Sequence, residues 1–201
     1  TPAVTNTPTT LADWLDYIER QHPATIDMGL ERVRTVATAM GLGAPAGHTI
    51  VVGGTNGKGS TVAFIEAIGR AAGWKVGAYT SPHLLRYNER VRIDGQDVDD
   101  AALVAAFNTV EAARGDITLT YFEYGTLAAL QLFADAGLDL AVLEVGLGGR
   151  LDAVNIIDAD VSVITTVDID HAEWLGEDRE AIGAEKAGII RGWKPVILGE
   201  T

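Results

Sequence analysis

Cysteine is absent from the 201 residues. That excludes a disulfide framework and a thiolate metal site, and it leans towards a reducing compartment, the cytoplasm. No apolar run reaches the ~18 residues that a membrane span requires, and no basic stretch followed by an apolar one opens the chain. Positive charge is scarce: 15 Lys and Arg against 28 Asp and Glu leave a formal net charge of −13. A phosphate backbone or an anionic bilayer would be repelled, so nucleic acid and membrane surfaces are not expected partners. A small phosphate ligand held in one local site is not excluded. Internal repeats and low-complexity tracts are missing too. What is present, 47% hydrophobic residues, 21% charged residues and 23 glycines, is ordinary for a globular enzyme and suits one large α/β domain.

The apolar residues alternate between two periods. Residues 1–9 carry two prolines and read as a loose tail. Leu11, Trp14, Leu15 and Ile18 then share one helical face, with Thr10 as the cap. A second helix is predicted from about Asp27 to Met40, and others over 60–73, 99–114, 121–137 and 178–187. Strands are predicted at 49–52, 75–80, 138–146, 161–167 and 195–198, while the segment around "VRIDGQ" reads as merely polar. Continuously apolar strands alternating with helices predict an α/β fold of the doubly wound kind, a mainly parallel sheet with helices on both faces.

Between the first strand and its helix lies "VVGGTNGKGS" (51–60). Glycines let backbone N–H groups approach an anion closely, and the helix N-terminus adds partial positive charge. In this reading Gly54, Thr55, Asn56, Gly57, Lys58, Gly59, Ser60 and Thr61 cradle a nucleotide. Lys58 faces the terminal phosphates, and Ser60 or Thr61 faces Mg²⁺. The strict pattern G-x-x-x-x-G-K-[ST] is not met: Val52 stands at its first glycine and Gly59 separates Lys58 from Ser60. A glycine-rich turn with a surface lysine is the plain alternative. A Rossmann dinucleotide loop is disfavoured, because G-x-G-x-x-G is absent.

Ligands of doubly wound sheets gather beyond the carboxyl ends of the strands. There the other strands deliver Ser81, Pro82 and His83, then Glu144, then Asp168, Asp170 and His171. Carboxylates and an imidazole suit Mg²⁺. Taken alone, Glu144 reads equally as a solvated or paired carboxylate, and His171 as a cap or core residue. Lys186 reads as a charge near helix-terminal carbonyls. Phe122 and Glu123 read as a core anchor and a helix-start carboxylate. Arg86, Arg90 and Arg92 carry no assignment.

The loop "GTNGKGS" resembles the ATP-binding loop of the Mur ligase superfamily, in its folylpolyglutamate synthase and dihydrofolate synthase branch. So do "TSPHLLRYNERVRI" (80–93), "FEYGTLAAL" (122–130), "EVGLGGRLDAVN" (144–155) and "DHAEWLG…EKAGII" (170–190), in family order, together with "DMGLERV" (27–33). The resemblance implies a P-loop-type domain like the Mur ligase central domain, occupying 1–201, with a glutamate-ligase domain that would follow it absent from this sequence. It implies Ser81, Glu144 and His171 as metal ligands, and Lys186 as a further one if carbamylated. It places Thr120, Tyr121, Phe122, Glu123 and Leu151 on a pterin, and "DMGLERV" as a loop covering it, although a helix start is physically as good.

The activity implied is ATP-dependent amide formation between dihydropteroate or a folate and L-glutamate through an acyl phosphate, with one or two Mg²⁺ ions and Lys58, His171 and Lys186 in catalytic roles. A monomer is expected, inactive as a ligase without the second domain. The competing readings are a P-loop NTPase or kinase with another acceptor, and a non-catalytic nucleotide-binding module.

Overall fold

The computed structural model describes residues 7–24, 26–169, 175 and 178–199. Thr10 caps α1 (Leu11–Glu19) by accepting from the Asp13 N–H at 3.2 Å, and Leu11, Trp14 and Ile18 are buried as their spacing predicts. Helix α2 runs over Glu31–Ala39, starting four residues later than expected. The reason is local. Arg32 takes the Asp27 carbonyl at 2.7 Å and its carboxylate at 2.9 Å, which holds residues 26–28 as a loop instead of a first helical turn.

There follow β1 (Ala46–Gly53), α3 (Lys58–Ala71), β2 (Val76–Tyr79), β3 (Val91–Ile93), β4 (Gln96–Asp97), α4 (Asp100–Arg114) and α5 (Tyr121–Ala136). The remainder comprises β5 (Leu138–Glu144), β6 (Val161–Ile164), α6 (Arg179–Ala187) and β7 (Val196–Leu198). The seven strands form one sheet in the order β4-β3-β2-β5-β1-β6-β7. β2, β5, β1, β6 and β7 are mutually parallel, whereas β3 and β4 add an antiparallel margin. That hairpin is a correction to the sequence reading. Asp94 (φ 52°) and Gly95 (φ 78°) supply the two positive φ angles of a tight hairpin turn.

The larger core lies between the sheet and α1, α2, α4 and α5, around Trp14, Phe107, Tyr124 and Phe133. A smaller one lies under α3, around Val62, Val76, Leu140 and Val142. Central β1 sends its crossover to β2 on one side, while β6 sends its own to β7 on the other. Such divergence opens a crevice above the sheet at β1 and β6.

Candidate functional site

The glycine loop fills that crevice. A Cβ on Gly54 (φ 139°) would lie 1.8 Å from Thr165 Oγ1, so no larger residue fits. Gly57, at φ 81°, adopts the left-handed conformation that begins α3. Lys58 opens the helix, and its Nζ donates to the carbonyls of Gly54 (2.8 Å) and Thr55 (3.3 Å). Thr61 N–H is already bonded to Gly57 O at 3.0 Å. The N–H groups of the preceding first turn are those a helix start presents to an anion. Lys58 thus stands at the helix start with its ammonium folded back on two carbonyls of the loop.

Glu144 ends β5 and is only 5% exposed. Its Oε2 accepts the Ser81 N–H at 3.1 Å, and a Cβ on Gly59 would stand 3.9 Å away from that oxygen. Burial raises its carboxyl above the ordinary range, against the opposing pull of Ser81 N–H, Lys58 and Arg92. Ser81 and Glu144 are therefore neighbours beside the phosphate loop, as expected. Arg92, on β3, donates to buried Glu66 of α3 at 2.6 Å and fastens the antiparallel hairpin behind them. Lys186, 4% exposed, is buried in the last turn of α6. His171 and Asp170 lie outside the described residues. Among the described residues no group of three His, Cys, Asp or Glu side chains converges on one point.

A cavity of about 380 Å³ runs from Lys58 and Ser81 to Thr120, Phe122, Glu123 and Leu151. Of the predicted nucleotide residues only Lys58 lines it, of the metal ligands only Ser81, and of the substrate residues Thr120, Phe122, Glu123 and Leu151. Phe122 stacks on Tyr79 with centroids 6.0 Å apart. Gly146 lies against the Phe122 ring: a Cβ there would come within 2.7 Å of it. Glu123 does two jobs. It closes a reciprocal cap with Thr120, accepting its N–H at 2.9 Å, and it accepts from Arg32 at 2.8 Å. Tyr121, in contrast, is not on the cavity wall. Its ring meets Tyr87 edge-on at 5.8 Å and lies under the Arg90 guanidinium at 5.6 Å.

Three ionisable wall residues carry no individual role in the sequence reading, although Asp27 belongs to the stretch that the resemblance reads as a covering loop and Asp152 to the family-like stretch 144–155. Asp27 lines the cavity from the 26–28 loop, tied there by Arg32. Arg90 lines it too, donating to His83 Nδ1 at 2.8 Å. Asp152 is the third. Its Oδ2 accepts from Gly146 (3.0 Å) and Leu147 (2.9 Å), and its Oδ1 from Val154 (3.0 Å). Burial nonetheless pushes its carboxyl up to about 6. The glycines of "EVGLGGRLD" were the available signal, since close backbone approach is what folds those N–H groups onto one carboxylate.

A glycine-capped loop at the carboxyl end of a central parallel strand, a lysine opening the next helix, and a buried carboxylate ending the adjacent strand define a P-loop-type nucleotide-binding α/β domain. Residues 52–198 match the family model of the Mur ligase middle domain, and the chain belongs to that family. It is 60% identical over 190 residues to the dihydrofolate synthase/folylpolyglutamate synthase of Escherichia coli strain K12, covering 94% of this chain and 45% of that protein. Two solved structures are also similar. One is E. coli FolC in complex with DHPP and ADP: 58% identity, TM-score 0.95, covering all of this chain and 48% of that one. The other is a bifunctional folylpolyglutamate synthase/dihydrofolate synthase with Mn, AMPPNP and L-glutamate bound: 56% identity, TM-score 0.90, covering 96% and 48%. The chain thus spans about half the length of the relatives it matches.

Proposed function

We propose that this chain supplies the ATP- and pterin-binding part of a dihydrofolate synthase/folylpolyglutamate synthase. The observation that carries the reading is the single cavity joining Lys58 and Ser81 to Phe122, Glu123 and Leu151. A flat ring against Phe122 would send its benzoyl-like carboxylate towards the phosphate loop, where a γ-phosphate would meet it. The complex of one relative with DHPP and ADP supports that pairing, and the complex of the other with Mn, AMPPNP and L-glutamate supports the nucleotide, a divalent metal and the amino acid as ligands.

In the reaction, a carboxylate oxygen attacks the γ-phosphorus and the bond to the β-bridging oxygen breaks, giving an acyl phosphate and ADP. The glutamate amine then attacks the acyl carbon, loses a proton and expels phosphate. Charge moves among oxygens throughout, so the protein's task is electrostatic. Lys58 would leave the Gly54 and Thr55 carbonyls for the β- and γ-phosphates. The first-turn N–H groups of α3 would hold the remaining phosphate charge, and Phe122 would orient the acceptor.

The donor set fits Mg²⁺, which takes oxygen ligands and one or two carboxylates alongside phosphates. Glu144 and Ser81 would hold it, with His171 and a carbamylated Lys186 as further ligands by family resemblance. Magnesium supplies neutralisation of the phosphate charge. Capture of L-glutamate we assign to the part of the relatives outside the matched region. We also read the protein as monomeric and cytoplasmic, in keeping with its lack of cysteine.

The test is ADP release measured on a full-length protein carrying this chain. Release requiring both dihydropteroate and L-glutamate is expected. Release that needs neither would favour an NTPase instead. The 201-residue chain alone should be slower by roughly a thousandfold or more, the cost of losing half of a positioning effect.

A further inference from the structure

The phosphate loop is bonded sideways to the segment that leaves β6. Thr55 N–H donates to Thr166 O at 2.9 Å. Asn56 N–H donates to Thr166 Oγ1 at 2.9 Å, and Asn56 O accepts from Thr165 Oγ1 at 2.6 Å. Thr55 Oγ1 in turn donates to Asp168 O (3.1 Å) and accepts from Asp168 N–H (2.9 Å). Both main-chain groups of Asn56 are therefore satisfied by hydroxyls more than a hundred positions away. Two loop N–H groups that a phosphate cradle would ordinarily offer are already engaged.

We propose that Thr165 and Thr166 are positioning residues for the nucleotide: their hydroxyls pin Asn56, fix the loop in one shape before ligand arrives, and confine phosphate contact to the start of α3 and Lys58. This rests on the ATP-binding reading above. A loop already ordered loses less conformational freedom on binding, so affinity depends on the pins although neither hydroxyl need touch ATP. The close fit of Gly54 against Thr165 Oγ1 makes the contact one of shape as well as of hydrogen bonding. Asp168, on the same segment, joins the loop to the stretch leading to Asp170 and His171.

Two measurements on the full-length protein test it. The first is amide exchange of the 54–57 segment without ligand, in wild type and in T166V. The second is the KM for ATP, kcat, and the KM for dihydropteroate in T165V, T166V, T165S and T166S. Exchange at Asn56 should accelerate about tenfold or more in T166V. The valine variants should raise the KM for ATP about tenfold, with the KM for dihydropteroate within twofold, and the serine variants should restore both properties. Exchange and ATP KM within twofold of wild type would overturn the proposal. So would a parallel rise in both KM values that serine does not repair, since that is the mark of general packing damage. If the wild type shows no ATP-dependent turnover the functional reading fails, while the exchange result still decides whether the pins order the loop.

Discussion

Arg32 and Glu123 stand 91 positions apart in the chain and 2.8 Å apart in the fold. The same guanidinium reaches the Asp27 carboxylate at 2.9 Å, so one side chain ties a cavity-lining loop to the start of α5. Arg32→Ala should release residues 26–28 and leave Glu123, whose side chain is 5% exposed, without its cation. Because Arg32 is itself a quarter exposed, the expected loss of stability is about 2 kcal/mol, below that of a fully buried pair. Pterin affinity should fall roughly tenfold, about 1.4 kcal/mol, with ATP affinity unchanged. Urea unfolding and fluorescence titration check both, and unaltered pterin affinity would show that the tie does not shape the cavity.

Lys58→Ala should weaken ATP binding by about a hundredfold or more, a loss of roughly 3 kcal/mol. Its Nζ bonds only loop carbonyls among the hydrogen bonds described, so the sheet and core should be unaffected. Calorimetric titration alongside circular dichroism separates the two effects. Equal nucleotide affinity in mutant and wild type would refute the phosphate-cradle reading.

Gly146→Ala would place a methyl within 2.7 Å of the Phe122 ring, which already rests on Tyr79. The ring has to turn or shift, and overpacking of this sort costs about 1–3 kcal/mol. The expected signature is a raised KM for the pterin substrate with the KM for ATP unmoved. A change confined to ATP would contradict the role of Phe122 as the cavity's flat wall.

Asp152 carries a pH dependence of definite sign. Its carboxyl rises from the ordinary 3.8 to about 6 on folding, because burial outweighs the three N–H donors. Between those values the folded protein keeps a proton that the unfolded chain has released. The group's contribution is therefore full below about pH 4 and is lost as pH rises through 6, a change of roughly 3 kcal/mol. Asp152→Asn cannot titrate. The stability difference between wild type and this variant, from urea unfolding at pH 4 and pH 7, should shrink by about that amount at the higher pH. A constant difference would refute the assignment.

The parallel strands and their helices were legible because each is a continuous apolar run or a clean helical stripe, and periodicity is local. The nucleotide loop was legible for the same reason, being one stretch of chain. The β3–β4 hairpin was not: its strands have three and two residues, too few to show alternation, although Asp94-Gly95 is a recognised turn pair. Of the two readings of the stretch from Asp27, helix start and loop, the structure takes the loop up to Leu30, because Arg32 holds Asp27, a bond invisible to any periodicity. Arg32, Arg90 and Asp152 received no individual role, because what each does depends on folded partners, Glu123 for Arg32, His83 for Arg90 and the turned-in N–H groups of Gly146 and Leu147 for Asp152. Ser81 with Glu144, and Phe122 with Leu151, came from family resemblance, and the fold brings the first pair into contact and lines one cavity with the second.

The two margins of the sheet are unlike. On one side β4 has two exposed residues, Gln96 and Asp97, a short and charged border that discourages any further strand. On the other, β7 presents Val196, Ile197 and Leu198 at 39–66% exposure, with no strand beyond it among the described residues. Its outward N–H and C=O groups form a ready template flanked by apolar side chains. Among the described residues the sheet is therefore asymmetric: β4 discourages a further strand, while β7 offers one both backbone groups and an apolar flank.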